Sequence, residues 1–206
     1  SLGASEGGRG QPIMTRDTPA TETAKFTLLP VAKVLVPDGS REVVPGSGEV
    51  GMVAQGGMVP LGYYKDPEKS AKTFKEVDGK RYAFIGDMAM VEADGTINLL
   101  GRGSNCINTG GEKVFPEEVE EALKLHPAVE DALVFGLEDE RFGNRVAGVV
   151  SIEKGGTADA DEVLEATRKL LASYKLPKEL LVVPVVPRAP NGKADYKAAK
   201  ALVADP

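Results

Sequence analysis

The spacing of apolar residues divides the chain into three stretches. Residues 1–24 show almost no apolar periodicity, and their small, polar composition favours a loop. From Phe26 to about Leu100, short apolar runs between turn residues predict strands. From about residue 104 onward, helical and strand periods alternate. The pattern predicts an α+β protein, in which a small β-rich, barrel-like subdomain precedes a compact α+β domain with a short sheet flanked by helices.

Turn and cap residues set the expected bounds of these elements. Asp94-Gly95 is a strong hairpin signal, and Pro116 stands where the first turn of a helix tolerates proline. The predicted strands are 31–36, 49–53, 82–91, 96–100, 131–137, 146–152 and 180–186, and the predicted helices are 66–74, 116–125, 161–172 and 195–203.

Composition narrows the function classes. The 206 residues are 42% hydrophobic and 27% charged, as in a globular protein, and no apolar run approaches the roughly 20 residues that span a bilayer. The net charge of -6 argues against a nucleic-acid partner, so any phosphate must be met by one or two placed cations. Residues 1–10 show no signal peptide, and the single Cys106 fits a reducing compartment, so we expect a cytoplasmic location.

The loop from Arg188 to Lys193 is the first candidate for chemistry. Its Pro-Asn-Gly predicts a tight turn that presents Lys193 at its exit, where an ammonium could meet a phosphate oxygen. From this loop alone, an ordinary solvated turn lysine is the better explanation. The loop is not a Walker A motif, because Pro187 and Ala194 replace the required glycine and hydroxyl residue.

Two further segments carry polar side chains at the ends of apolar runs. Asp87, after Gly86, could accept hydrogen bonds from a ribose diol, or could simply cap a turn. Arg102, between Gly101 and Gly103, offers a planar fork for a ribose or a phosphate, or is a surface residue of an interdomain turn.

The Gly110-Gly111 pair has two interpretations as well. It predicts either a simple hairpin or a strip of bare backbone along which a thin ligand can lie. Residues 3–7 fit the pattern of a hydrolase nucleophile elbow around Ser5, with His126 as the one histidine. The apolar strand that should precede an elbow is missing, and a helix-capping role suffices for His126.

Taken in order, these motifs resemble the adenylate-forming superfamily of acyl-CoA synthetases, adenylation domains and luciferases. The stretch from Cys106 to Pro116 is most similar to fatty-acyl and steroid side-chain CoA ligases of actinobacteria. The matching segments are 3–8, 48–64, 82–87, 101–120, 172–177 and 190–193.

The resemblance implies a role for each candidate residue. It implies Lys193 as the catalytic residue of adenylation, Ser5, Asp87 and Arg102 as nucleotide-binding, Glu6 as the Mg²⁺ ligand, Ser104 as a hinge, and Gly110, Gly111 and Glu112 as the strip on the CoA side. Three residues depart from the family pattern: Ile85 replaces a threonine, Ser104 an aspartate or lysine, and Asn108 a lysine.

The resemblance also implies an activity and a domain organisation. Residues 1–103 would end a large adenylation domain, and residues 104–206 would form a mobile lid. The implied enzyme is an ATP-dependent acyl-CoA synthetase, which converts a fatty or steroid side-chain acid and ATP to acyl-AMP and pyrophosphate, then forms the CoA thioester and AMP. Because the family's phosphate loop and acyl pocket would lie before Ser1, we expect the isolated chain to be inactive. A non-catalytic adenylate-binding module and an adenylation domain that loads a carrier protein are the alternatives.

Overall fold

The computed structural model describes residues 2–4, 7–12 and 25–204, which fall into two compact units, 1–104 and 105–206. The strands are β1 (Leu2–Ala4), β2 (Gly7–Pro12), β3 (Lys25–Thr27), β4 (Ala32–Leu35), β5 (Val50–Gln55), β6 (Phe74–Val77), β7 (Lys80–Val91), β8 (Ile97–Arg102), β9 (Ile107–Thr109), β10 (Glu112–Val114), β11 (Val129–Asp139), β12 (Gly143–Ile152) and β13 (Glu179–Val182). The helices are α1 (Pro67–Thr73), α2 (Pro116–Lys124), α3 (Ala160–Thr167) and α4 (Tyr196–Ala204).

The first unit is built on an eight-stranded antiparallel sheet. Its strand order is β1-β2-β3-β8-β7-β5-β4, and β6 pairs with β7. Successive residues of β4 enter different cores, since Val34 belongs to one buried cluster and Leu35 to the other. This alternation follows from the pleat, which turns neighbouring side chains to opposite faces of the sheet.

The second unit has a three-stranded sheet covered on both faces. Strands β11 and β12 pair antiparallel, and β13 lies parallel to β12. Val134 packs on one face with residues of α2 and α3, while Leu133 and Phe135 pack on the other face with residues of α4. Because both faces are buried, residues 132–135 are apolar without a break.

The predicted α+β class is confirmed, but the bounds of several elements differ. β1 and β2 are strands where the sequence predicted a loop, because their pairing is made by the backbone and needs no apolar pattern. Helix α3 ends at Thr167 rather than at residue 172, and Leu171 reaches the core from the turn that follows. No helix in the described part of the chain is both long and apolar enough to cross a membrane.

Gly51 shows how tightly the first sheet packs. A Cβ at this position would lie 2.5 Å from Val43 Cγ2 and 2.7 Å from the carbonyl oxygen of Leu35. We therefore expect Gly51→Ala to lower the free energy of unfolding of the first unit by about 1–3 kcal/mol, the usual cost of overpacking. Urea denaturation measures this change. A rise in stability, which a glycine-to-alanine change produces where space is free, would contradict the packing described here.

Candidate functional site

Asp87 and Arg102 form a cross-strand pair. They lie opposite each other on the neighbouring strands β7 and β8, and Arg102 Nε is 3.0 Å from Asp87 Oδ1. The Asp87 side chain is only 12% exposed, whereas that of Arg102 is 56% exposed. The structure thus brings two of the predicted nucleotide-binding residues together at the end of the β7–β8 ladder, with a largely buried carboxylate and a guanidinium that still reaches solvent.

Irregular backbone on both strands positions this pair. Phe84 of β7 lies opposite Ala54 of β5, and Met88 of β7 lies opposite Met52 of β5. Between these two pairs β7 has more residues than β5, and the extra residues form a bulge around Gly86. Gly86 has φ +87 and Gly101 has φ +108, values that residues with a side chain rarely adopt. A bulge bends its strand and redirects the side chains beside it, which places Asp87 and Arg102 at a distorted part of the ladder.

The predicted hinge follows this pair directly. Residues Gly103–Asn105 form a single 3-10 turn, Ser104 is exposed, and the boundary between the two units falls after Ser104. Whether the chain rotates at Ser104 stays a prediction.

Gly110 and Gly111 form the two-residue turn between β9 and β10. Thr109 pairs with Glu112 across the turn, and φ is +58 and +91 at the two glycines, as in a type I′ turn. The amide of Gly110 donates to the carbonyl oxygen of Phe142 at 3.0 Å. A Cβ at Gly110 would lie 3.1 Å from the Phe142 ring, whereas one at Gly111 would meet nothing within 4 Å. The turn is therefore docked on one side and open on the other, and Glu112 is exposed next to it.

The loop between β11 and β12, against which the Gly110-Gly111 turn packs, is itself fixed by hydrogen bonds. Asp139 Oδ1 accepts from the amides of Arg141 and Phe142, both at 2.9 Å, and Asn144 Nδ2 donates to the carbonyl oxygen of Asn108 at 3.3 Å. The sequence reasoning missed these residues, which join the Gly-Gly turn to the loop between β11 and β12.

Lys193 lies at the exit of a closed turn. Arg188 and Ala194 form an antiparallel bridge at its base, and the amide of Ala189 donates to the carbonyl oxygen of Lys193 at 2.8 Å. Within the turn, Asn191 Oδ1 accepts from the amide of Lys193 at 3.1 Å. The side chain of Lys193 is exposed. The backbone of this lysine is thus fixed while its ammonium is available to a ligand.

A partly exposed ionic contact fastens the base of the lysine turn to β11. Arg188 donates from Nε to Asp131 Oδ2 at 2.8 Å and from Nη2 to Asp131 Oδ1 at 2.6 Å. Burial alone would raise the pKa of Asp131, but the Arg188 guanidinium and the Ala132 amide outweigh it and hold the pKa below its ordinary value. This residue pair was not predicted, because 57 positions separate its members.

Glu120 of α2 lies close to this contact and is almost fully buried. Its Oε1 accepts from the amide of Val134 at 2.8 Å. Burial raises the pKa of Glu120 to about 7, a rise that the Val134 amide opposes and the Glu117 carboxylate reinforces. The phenol of Tyr196, at the start of α4, is partly buried, and burial together with the nearby carboxylates of Glu120 and Glu117 raises the pKa of Tyr196.

The lysine turn and the Gly-Gly turn lie at opposite ends of the ladder formed by β11 and β12. The first is fastened at Asp131, and the second is docked beside Asp139. Eight residues of strand separate these two positions, or about 26 Å. The second unit therefore carries two distinct candidate surfaces and not one composite site.

The predicted phosphate and metal residues Ser5 and Glu6 lie outside the described residues. Among the residues that the structure does describe, no group of three or more His, Cys, Asp or Glu side chains is arranged to hold a metal ion.

Residues 118–193 match the family of the AMP-binding enzyme C-terminal domain. Residues 118–193 therefore belong to this domain family.

Several characterised proteins are similar over nearly the whole chain. The 3-oxocholest-4-en-26-oate–CoA ligase of Rhodococcus rhodochrous is 48% identical over 200 residues, and the medium/long-chain-fatty-acid–CoA/3-oxocholest-4-en-26-oate–CoA ligase of Mycolicibacterium smegmatis is 49% identical over 201. Each match covers 97% of this chain and 36% of the relative, so the chain spans about a third of their length.

Solved structures agree with these matches. Apo MatB from Rhodopseudomonas palustris superposes with a TM-score of 0.76 and 30% identity, covering 99% of this chain and 40% of MatB. The ATP-bound form of the same protein gives a TM-score of 0.72 at 31% identity, covering 87% and 35%.

Glu120 gives a prediction for the pH dependence of stability. Its pKa rises from 4.5 to about 7 on folding, so the fold favours the protonated carboxyl. The stability that this group contributes is fully present below pH 4.5 and is lost as the pH rises through 7, by up to about 3 kcal/mol. Glu120→Gln, which resembles the protonated form, should remove this loss.

Urea denaturation of both proteins between pH 4 and pH 8 measures the difference. The free energy of unfolding of the native chain should fall relative to that of Glu120→Gln across this range. Glu153→Gln, at an exposed position, is the control and should follow the native curve. Parallel curves for Glu120→Gln and the native chain would contradict the assigned pKa.

Proposed function

We propose that this chain supplies the nucleotide-binding edge and the catalytic lysine of an ATP-dependent acyl-CoA ligase. The ligase first joins a carboxylate to the α-phosphate of ATP, releasing pyrophosphate, and then transfers the acyl group from the acyl-adenylate to CoA, releasing AMP. The observation that carries this proposal is the placement of the Lys193 turn and the Gly110-Gly111 turn at opposite ends of one rigid ladder, because the two half-reactions need different groups.

The adenylation step needs positive charge where the α-phosphate becomes pentacoordinate. The exposed ammonium of Lys193 can supply it, since a fixed backbone leaves little entropy to lose when the side chain binds. Asp87 can accept hydrogen bonds from the ribose diol, and Arg102 orients its carboxylate. Both the exposed lysine and the oriented carboxylate support a nucleotide as the ligand.

The thioester step needs the lysine removed and a narrow path for a thiol. The open side of the Gly110-Gly111 turn offers backbone without side chains, with Glu112 beside it. Residues 104–206 would act as a lid that turns at Ser104 and exchanges one surface for the other. Residues 1–103 would then be the end of the large adenylation domain.

The names of the relatives support the substrate class. They are ligases of medium- and long-chain fatty acids and of a steroid side-chain acid, so we extend a fatty or steroid side-chain acid, ATP and CoA to this chain. These names favour CoA as the acceptor over a carrier protein. Mg²⁺ held by Glu6 belongs to the same proposal, since a carboxylate is a ligand that Mg²⁺ prefers, together with Ser5 near the phosphates and a cytoplasmic location.

Replacing Lys193 should separate the two half-reactions. In the full-length ligase that carries these residues, we expect Lys193→Ala to slow acyl-adenylate formation by about 10²- to 10³-fold, the usual cost of losing one preorganised donor to a transition state. ATP–pyrophosphate exchange measures this step. Thioester formation from supplied acyl-adenylate and CoA should keep its native rate.

Lys200→Ala is the matched control, because Lys200 is an exposed lysine of α4 in the same unit and should affect neither step. If Lys193→Ala slows both half-reactions equally, or neither, the proposed role of Lys193 is wrong.

Asp87 should contribute to the affinity for AMP through the ribose of the nucleotide. We expect Asp87→Asn to weaken AMP binding by about tenfold to a hundredfold, since a hydrogen bond to a charged group contributes about 1.5–3 kcal/mol. Calorimetric titration of the ligase with AMP and with 2′,3′-dideoxy-AMP provides the test.

The dideoxy nucleotide, which lacks the diol, should bind the native and Asp87→Asn proteins equally. Glu76→Gln, an exposed carboxylate of the same sheet, should leave both affinities unchanged. An equal loss of affinity for both nucleotides would place Asp87 away from the ribose.

A further inference from the structure

A group of charged and polar side chains lies beneath the lysine turn and takes no part in the chemistry proposed above. Asp131 and Arg188 form a two-point ionic contact, Glu120 accepts from the backbone of β11, and the partly buried Tyr196 lies near Glu120. All four residues belong to the second unit, so their arrangement is independent of the first.

These side chains hold the lysine turn at both of its ends. Arg188 is the residue that enters the turn and pairs with Ala194, which follows Lys193 directly. On the other side, Asp195 caps α4 through its bond from the amide of Ala198 at 3.0 Å, and Tyr196 comes next. The turn is therefore fastened to β11 before Lys193 and leads directly into α4, which packs on the sheet, after it.

The chemistry of the Arg188–Asp131 contact favours orientation over stability. Its two parallel hydrogen bonds fix the plane of the guanidinium, which a lysine in the same place could not do. Partly buried ion pairs contribute little net stability compared with apolar residues of similar size, because both charges lose water. Since Arg188 also faces the carboxylate of Glu120, its charge is compensated from β11 and from α2.

We propose that Arg188 and Asp131 are positioning residues that fix the direction in which Lys193 leaves its turn. The proposal rests on the proposed function of Lys193. A displacement of a catalytic group by about 1 Å can cost up to about a hundredfold in rate, so a turn held at both ends has a direct consequence for adenylation.

The first experiment measures the turn itself and needs no activity. Backbone ¹⁵N relaxation on the chain gives order parameters for Gly192 and Lys193, which should lie near about 0.85 in the native protein and fall to between about 0.6 and 0.75 in Arg188→Lys and in Asp131→Asn. Arg145→Lys is the matched control, since Arg145 bonds to Glu179 on the same sheet. Unchanged order parameters in both variants would overturn the proposal.

The second experiment uses the full-length ligase. We expect Arg188→Lys to slow acyl-adenylate formation by about tenfold to a hundredfold and to leave thioester formation from supplied acyl-adenylate unchanged, while Arg145→Lys changes neither. A proportional loss of both half-reactions indicates a structural role alone and overturns the proposal.

The two experiments also separate this proposal from the function on which it rests. If Lys193→Ala leaves adenylation intact, the proposed function fails, whereas the relaxation measurement still decides whether Arg188 and Asp131 hold the turn.

Discussion

The antiparallel ladder between β11 and β12 is the constraint on which the second unit depends. Its residues alternate between two buried cores, so one strand pair supports α2 and α3 on one face and α4 on the other. Apolar side chains on both faces do not by themselves fix the register, because a shift by one residue exchanges one apolar side chain for another. Glycines restrict it: a Cβ at Gly148 would lie 2.9 Å from the carbonyl oxygen of Leu133, and one at Gly136 would lie 3.1 Å from Ile107.

The polar contacts of the unit are concentrated where this ladder ends. Asp131 binds Arg188 near one end, and Asp139 organises the loop that receives Gly110 at the other. Asp131 accepts from the amide of Ala132 as well as from Arg188, and Asp139 accepts from the amides of Arg141 and Phe142. The ladder thus sets the positions of Lys193 and of the Gly110-Gly111 turn, although none of these residues belongs to it.

The sequence predicts the parts of this structure that depend on local pattern. The Gly-Gly turn, the proline at the start of α2 and most strands follow from residues close together in the chain. The pairing of Asp87 with Arg102 does not, because two bulges set its register and their positions depend on strands brought together only by folding. No local sequence pattern predicts that Arg188 pairs with Asp131 either.

Glu120 is a different case, because the sequence does contain a signal for its burial. It stands between Val119 and Leu123, both fully buried residues of α2, and so falls on the apolar face of that helix. Its burial is easily overlooked, because Glu120 is one of four glutamates near the start of the helix, where acidic residues are expected for their interaction with the helix dipole. The position within the helical period, and not the residue type, distinguishes the buried glutamate from its solvated neighbours.

The distance of about 26 Å between the two ends of the ladder has a consequence for the order of events. Two groups fixed that far apart on one rigid body cannot occupy the same place at the same time. If both ends serve the same reacting atoms, as proposed, only one of them can be next to those atoms at a time. The order of the two steps is then set by the length of the ladder alone and requires no additional signal.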